Sequence, residues 1–84
     1  MNEHTLRALV DAGAIKRSRI VAHGARFHIE FETPTGAVTA LTRRASVKQW
    51  STLDAAARWL RGLGLGTTQL ELAQWAPQQK PLNL

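Results

Sequence analysis

The strongest constraint on the fold is Arg26-Phe27-His28-Ile29-Glu30-Phe31-Glu32, where apolar and polar residues alternate without a break. A period of two fits only a strand with one buried face, here the face of Phe27, Ile29 and Phe31. The preceding run, Ser18-Arg19-Ile20-Val21-Ala22-His23, ends at Gly24-Ala25. Glycine at the first central position suits a two-residue type II′ hairpin turn. Pairing His23 with Arg26 then sets Ala22, Ile20 and Ser18 opposite Phe27, Ile29 and Phe31. On the other face Arg19 meets Glu30 and Arg17 meets Glu32, so apolar and charge pairings select one register.

The flanking elements follow from the same kind of reading. Thr5 is a helix cap ahead of Leu6, Leu9 and Val10, and Gly13 is a left-handed stop, which predicts a helix over 6–12. Thr33-Pro34-Thr35-Gly36 is a turn leading into a third strand, Ala37 to Thr42. If Gly36 forms a bulge, Thr39 and Leu41 face inward; without one, Val38 and Ala40 do. The place of Gly36 favours the bulge.

Ser46 to Trp50 has the length of a short further strand. Ser51-Thr52-Leu53-Asp54 resembles a capping box and opens a second helix from about Thr52 to Leu63, closed by Gly62 and Gly64. Its stripe of Leu53, Ala56, Ala57, Leu60 and Leu63, flanked by Trp59, is expected to cover Phe27, Ile29 and Phe31. Thr67 to Leu72 alternates again as a last strand. The expected fold class is therefore α+β, in the order α-β-β-β-(β)-α-β: a single antiparallel sheet of about four to five strands with two helices packed on one face. Residues 1–76 form one domain and 77–84, with no periodicity, a flexible tail.

At 84 residues the chain has room for one small core. The absence of cysteine excludes disulfides, thiolate metal sites and thiol nucleophiles. No run has the length and apolarity of a membrane span and no leader stands at the front, which makes a cytoplasmic location the expectation. His4, His23 and His28 lack metal-ligand spacing. Ser18, Ser46 and Ser51 have ordinary strand, turn and cap roles, and Glu30 and Glu32 are matched by arginines. No catalytic residue, metal, cofactor or small-molecule substrate is expected.

The net charge of +5 makes an anionic partner worth weighing. With Arg17 and Arg19 assigned to acids, the remaining candidates are Arg43, Arg44 and Lys48 after strand three, with Arg58 and Arg61 on the second helix. These five are the candidate nucleic-acid contacts. The alternative is a solvated basic edge that discourages strand-to-strand aggregation. Trp50, Trp59 and Trp75 are the candidate partner contacts, Trp75 above all because it adjoins a tail with nothing apolar to fold on. Tryptophans flanking an apolar stripe also commonly belong to the core.

Two segments, Leu6-Arg7-Ala8-Leu9-Val10-Asp11-Ala12-Gly13-Ala14-Ile15 and Trp50 to Leu65 with the following strand, resemble the ParC-type partition-associated proteins of bacterial plasmids. The resemblance covers about half of the chain. It implies a non-catalytic accessory module that binds plasmid DNA or a plasmid maintenance protein. A weaker likeness, in shape alone, is to the AP2-like arm-binding domains of integrases, where a three-stranded sheet precedes a helix. Glu30 and Glu32 on the outer face speak against the same use of the sheet here. The alternative is a self-associating homodimer that meets through an open sheet face or edge and binds no nucleic acid.

Overall fold

A computed structural model describes residues 1–76, so the tail expected at 77–84 lies outside the described residues. The elements are α1 (Glu3–Asp11), β1 (Arg17–Gly24), β2 (Arg26–Thr33), β3 (Gly36–Thr39), α2 (Leu53–Leu63) and β4 (Gln69–Trp75). They build a small α+β fold with one four-stranded sheet in the order β3-β2-β1-β4.

The β1–β2 hairpin has the register demanded by its apolar and charge pairings, from His23 opposite Arg26 to Arg17 opposite Glu32. Gly24 takes a φ of +63°, which the first turn position requires. Ile20, Ala22, Phe27, Ile29 and Phe31 are buried on the inner face with Ala40, Leu6, Ala56, Leu60 and Leu63. Helix and sheet thus share one core.

Several boundaries differ from the sequence expectation. Helix α1 begins at Glu3 because Asn2, not Thr5, is its cap: the Asn2 carboxamide oxygen accepts from the Thr5 amide at 2.9 Å. Thr52, rather than Ser51, caps α2 by accepting from the Ala55 amide at 3.1 Å. Gly62 lies inside α2, and Gly64 alone ends it, at a φ of +113°. A Cβ at Gly64 would lie 3.1 Å from Val10 Cγ1, so this glycine also lets the end of α2 approach α1. Leu53 and Ala57 are exposed, leaving Ala56, Leu60 and Leu63 as the buried stripe.

Strand β3 has the facing expected without a bulge. Thr33 pairs with Gly36, and Pro34-Thr35 forms a two-residue loop, which places Val38 opposite Phe31 and leaves Ala40 fully buried. Gly36 at a φ of +130° meets the demand of the turn from within the strand. The segment 46–50 forms no strand of its own; isolated bridges pair Leu41 with Val47 and Phe27 with Trp50.

Strand β4 joins β1 in parallel, so the sheet is mixed rather than wholly antiparallel. Alternation in a sequence carries no information on strand direction. The direction follows from the route of the chain, since a parallel neighbour needs a crossover of a dozen or more residues. Here β2, β3 and α2 provide it. The Ser18 hydroxyl donates to the Thr67 carbonyl at 3.2 Å and ties the returning chain to the start of β1.

On the open face of the sheet, Arg19 is the centre of a charge network. Its guanidinium lies 2.9 Å from Glu30, 3.4 Å from Glu32 and 3.7 Å from Glu71. Arg17 stands 4.0 Å from Glu32, a long and exposed pair that adds little stability. The His28 ring, 2.9 Å from Glu30, is the largest influence holding the Glu30 carboxyl below its ordinary value of 4.5; burial works against it and Arg19 reinforces it. A carboxyl with a lowered folded pKa stabilises the fold above its unfolded pKa, and that contribution is lost as pH falls through the folded value. Glu30→Gln should therefore lose less stability than the parent on acidification below about pH 4.5. Urea unfolding curves at a series of pH values check this, and parallel losses in the two proteins would remove Glu30 as the source.

Candidate nucleic-acid interface

The residues after β3 form a tight loop held by its own backbone. The Thr42 amide donates to the Ser46 carbonyl at 2.7 Å, and the Thr42 hydroxyl accepts from the Arg44 and Ser46 amides, both at 3.3 Å. Ala45 takes a φ of +62°, a left-handed conformation that a residue with a Cβ adopts at some cost. Arg43 and Arg44 sit at the tip, exposed to solvent. The chain then returns to the sheet: the Lys48 amide donates to the Ala40 carbonyl at 2.9 Å, and Trp50 exchanges two backbone bonds with Phe27.

Trp50 and Trp59 are half-buried, with ring centroids 5.1 Å apart, and Trp59 lies 6.3 Å from Phe31. Both rings pack against the core. The Lys48 ammonium stands 5.5 Å from the Trp50 ring centroid, within range of a cation–π attraction. The Trp59 indole N–H donates to Glu3 at 3.0 Å, and Arg7 donates to the other Glu3 oxygen at 3.4 Å and to the Gly62 carbonyl at 3.0 Å. These bonds hold α1 against α2, and Met1 ties its start to the chain that enters the loop. The Met1 amino group donates to the Thr39 carbonyl and the Leu41 amide to the Met1 carbonyl, at 2.9 and 2.8 Å.

Between them α1 and the loop leave a cleft of about 520 Å³. Asn2, Glu3, His4 and Arg7 line it from the helix; Leu41, Thr42, Arg43 and Lys48 line it from the loop. Three cations thus face one carboxylate. The Glu3 carboxyl is lowered first by the Trp59 indole bond, against burial, then by Arg7, with Lys48 contributing at longer range. Since Trp59 and Arg7 occupy its two oxygens, Glu3 leaves Arg43 and Lys48 without an acidic partner. Among the described residues Arg43, Arg44, Lys48 and Arg61 form no ion pair.

The five basic residues singled out in the sequence do not share one face. Arg43 and Lys48 line the cleft, with Arg44 adjoining at the loop tip. Arg58 pairs with Asp54 at 3.0 Å. Arg61 is two residues beyond Trp59, about 200° further round α2, and so points away from the side that meets Glu3 and Trp50. Trp75 is on β4, at the opposite edge of the sheet from the loop, and is 47% exposed. Sequence reading missed His4 and Arg7 as cleft residues. Their only local signal is an i, i+4 pair of Glu3 with Arg7; the approach of α1 to the loop is a tertiary event. A smaller groove of about 270 Å³ lies between Lys16-Arg17-Ser18 and Thr67-Thr68-Gln69.

Among the described residues no group of three or more His, Cys, Asp or Glu is arranged to hold a metal ion, and no helix is long and apolar enough to cross a membrane. Fold and cleft define a small α+β domain with a basic surface recess. No known family model, curated protein or solved structure matches the chain.

Proposed function

We propose that this chain is a non-catalytic binding module that grips the phosphate backbone of duplex DNA through the cleft between α1 and the loop at 42–48. The supporting observation is the convergence of Arg43 and Lys48 with Arg7 on one recess whose single acid is already occupied. Clustered cations displace the counterions condensed on DNA, and the released ions drive binding without reading sequence. The Trp50 ring lies within cation–π range of Lys48, and the loop held by Thr42 carries Arg43 and Arg44 at its tip. The resemblance of residues 6–15 and 50–65 to partition-associated proteins favours plasmid DNA as the natural target, with a plasmid maintenance protein as the other partner of that setting.

The test is a mobility-shift series on duplex DNA at increasing salt. Arg43→Ala with Arg44→Ala should weaken binding about tenfold or more and flatten the log–log salt slope by roughly two, near 0.9 for each phosphate no longer neutralised. Both side chains are exposed, so the melting temperature should stay near that of the parent. Arg61→Ala, on the far flank of α2, should leave the slope unchanged. Failure of the parent to bind at low salt would end the DNA reading. An unchanged slope in the double variant would move the contact to the groove of Lys16 and Arg17.

A further inference from the structure

At the other edge of the sheet, β4 bears an apolar row that the described residues leave exposed. Leu70, Leu72 and Trp75 are 41%, 44% and 47% exposed. Leu70 neighbours Ile20 and Trp75 neighbours Gly24. Ile20 and Gly24 have the same parity on β1, and Ile20 faces the helices, so Leu70 and Trp75 both stand on the helix side of the sheet. Five residues apart in a regular strand, they would face opposite ways. The register shift opposite Val21–His23 inserts one residue into β4 between Glu71 and Gln74 and brings Trp75 round to the side of Leu70.

The outer edge of β4 has no neighbouring strand among the described residues. Edge strands are commonly protected by lysine, proline or inward-pointing charge. From Gln69 to Trp75 the single charge is Glu71, and it faces Arg19 of its own protomer at 3.7 Å.

We infer that β4 seats a second copy of this chain, the two protomers meeting β4 to β4 about a twofold axis. Charge selects this occupant. Two chains of net charge +5 repel, and β4 is a stretch on which that repulsion has no local source. An antiparallel meeting centred on Leu72 sets Leu72 across from its twin, while Glu71, the one charge on each strand, stays beside Arg19 of its own protomer. A polyanion has no cation to engage there, and a charged peptide has no unpaired charge. A second copy brings the same open edge and the same apolar row, as a twofold interface requires.

The bulge interrupts the hydrogen-bonded edge, so burial of Leu70, Leu72 and Trp75 drives the association more than backbone pairing does. Three side chains supply only part of the ~800 Å² that each partner contributes to a standard interface. Association should accordingly depend on concentration. The joined sheet runs β3-β2-β1-β4 and back in reverse through the partner, which holds the two basic clefts at its far ends. This inference does not depend on the DNA reading.

Light scattering on a sizing column, with the full chain loaded from low micromolar to submillimolar concentration, should show a mass rising from 9.3 kDa toward twice that value. Leu72→Lys should hold the mass at the monomer value at every loading, with circular dichroism confirming the fold. The chain has no cysteine of its own, so Leu72→Cys gives a second, independent measurement. Under oxidation this variant should cross-link into a disulfide dimer at least tenfold faster than Ala57→Cys, which places the thiol on the exposed face of α2. A parent monomeric at all loadings would overturn the inference, as would a dimer that survives Leu72→Lys or cross-links as fast through Ala57→Cys. If Leu72→Lys fails to fold, the ratio of the two cysteine rates decides the matter.

Discussion

Phe31→Ala is expected to remove most of the protein's stability at room temperature. The side chain is fully buried, lies opposite both Ser18 and Val38, and stands 6.3 Å from the Trp59 ring. Alanine there removes an aromatic ring and leaves a cavity in the middle of the sheet, a change that costs about 3–5 kcal/mol. A domain of this size has a total stability of the order of 5 kcal/mol, so little would remain. Urea unfolding followed by tryptophan fluorescence measures the loss directly, because Trp50 and Trp59 form the reporting pair. A midpoint close to that of the parent would mean that Phe31 is not at the centre of the core.

Leu60→Ala should cost about 2–5 kcal/mol by the same mechanism, but it tests a different joint. Leu60 belongs to α2 and is 3% exposed, between Ala56 and Leu63 on the stripe that meets the sheet. Its loss weakens the seating of α2 while the β1–β2 hairpin keeps its own cross-strand pairs. The fall in stability should therefore come with greater loss of helical than of sheet signal at intermediate urea. A variant as stable as the parent would place the stripe of α2 outside the core.

These two residues stood out in the sequence for different reasons, and the contrast explains what was legible. Phe31 belongs to a stretch where alternation, turn chemistry and charge pairing all agree, and the structure reproduces that hairpin residue for residue. Leu60 follows from helical spacing, which indicated the buried stripe but overextended it. Leu53 and Ala57 stand on the flank of that stripe, away from the line of Ala56, Leu60 and Leu63, and remain exposed. The facing of β3 rested on Gly36 alone, and a glycine accepts either loop; burial of Val38 and Ala40 against Phe31 and its neighbours decides between them. The parallel direction of β4 depends on the whole route from β2 through α2. No local pattern records it.

The recess was legible only in part. Arg43 and Lys48 remain as cations without an acid once Arg17 and Arg19 have theirs, and they do line one cleft. Their companions Arg7 and His4 come from the other end of the chain. They arrive because Met1 is bonded to Thr39 and Leu41 beside the loop, while Glu3 is held to α2 by the Trp59 indole, a pair 56 residues apart in sequence. Arg58 and Arg61 count among the same leftover cations in the sequence, yet Arg58 pairs with Asp54 and the turn of α2 carries Arg61 away from the cleft.

The lone parallel pairing sets an order of events in folding. Partners in the β1–β2 hairpin begin only three residues apart, at His23 and Arg26, whereas Arg19 and Gln69 in the β1–β4 pair are 50 residues apart. Closing the longer loop costs more chain entropy and is repaid late, so the hairpin forms early and β4 zips on after α2 has docked. The last strand to arrive is also the least covered. In hydrogen exchange its amides should therefore be the first to open and those of the hairpin the last.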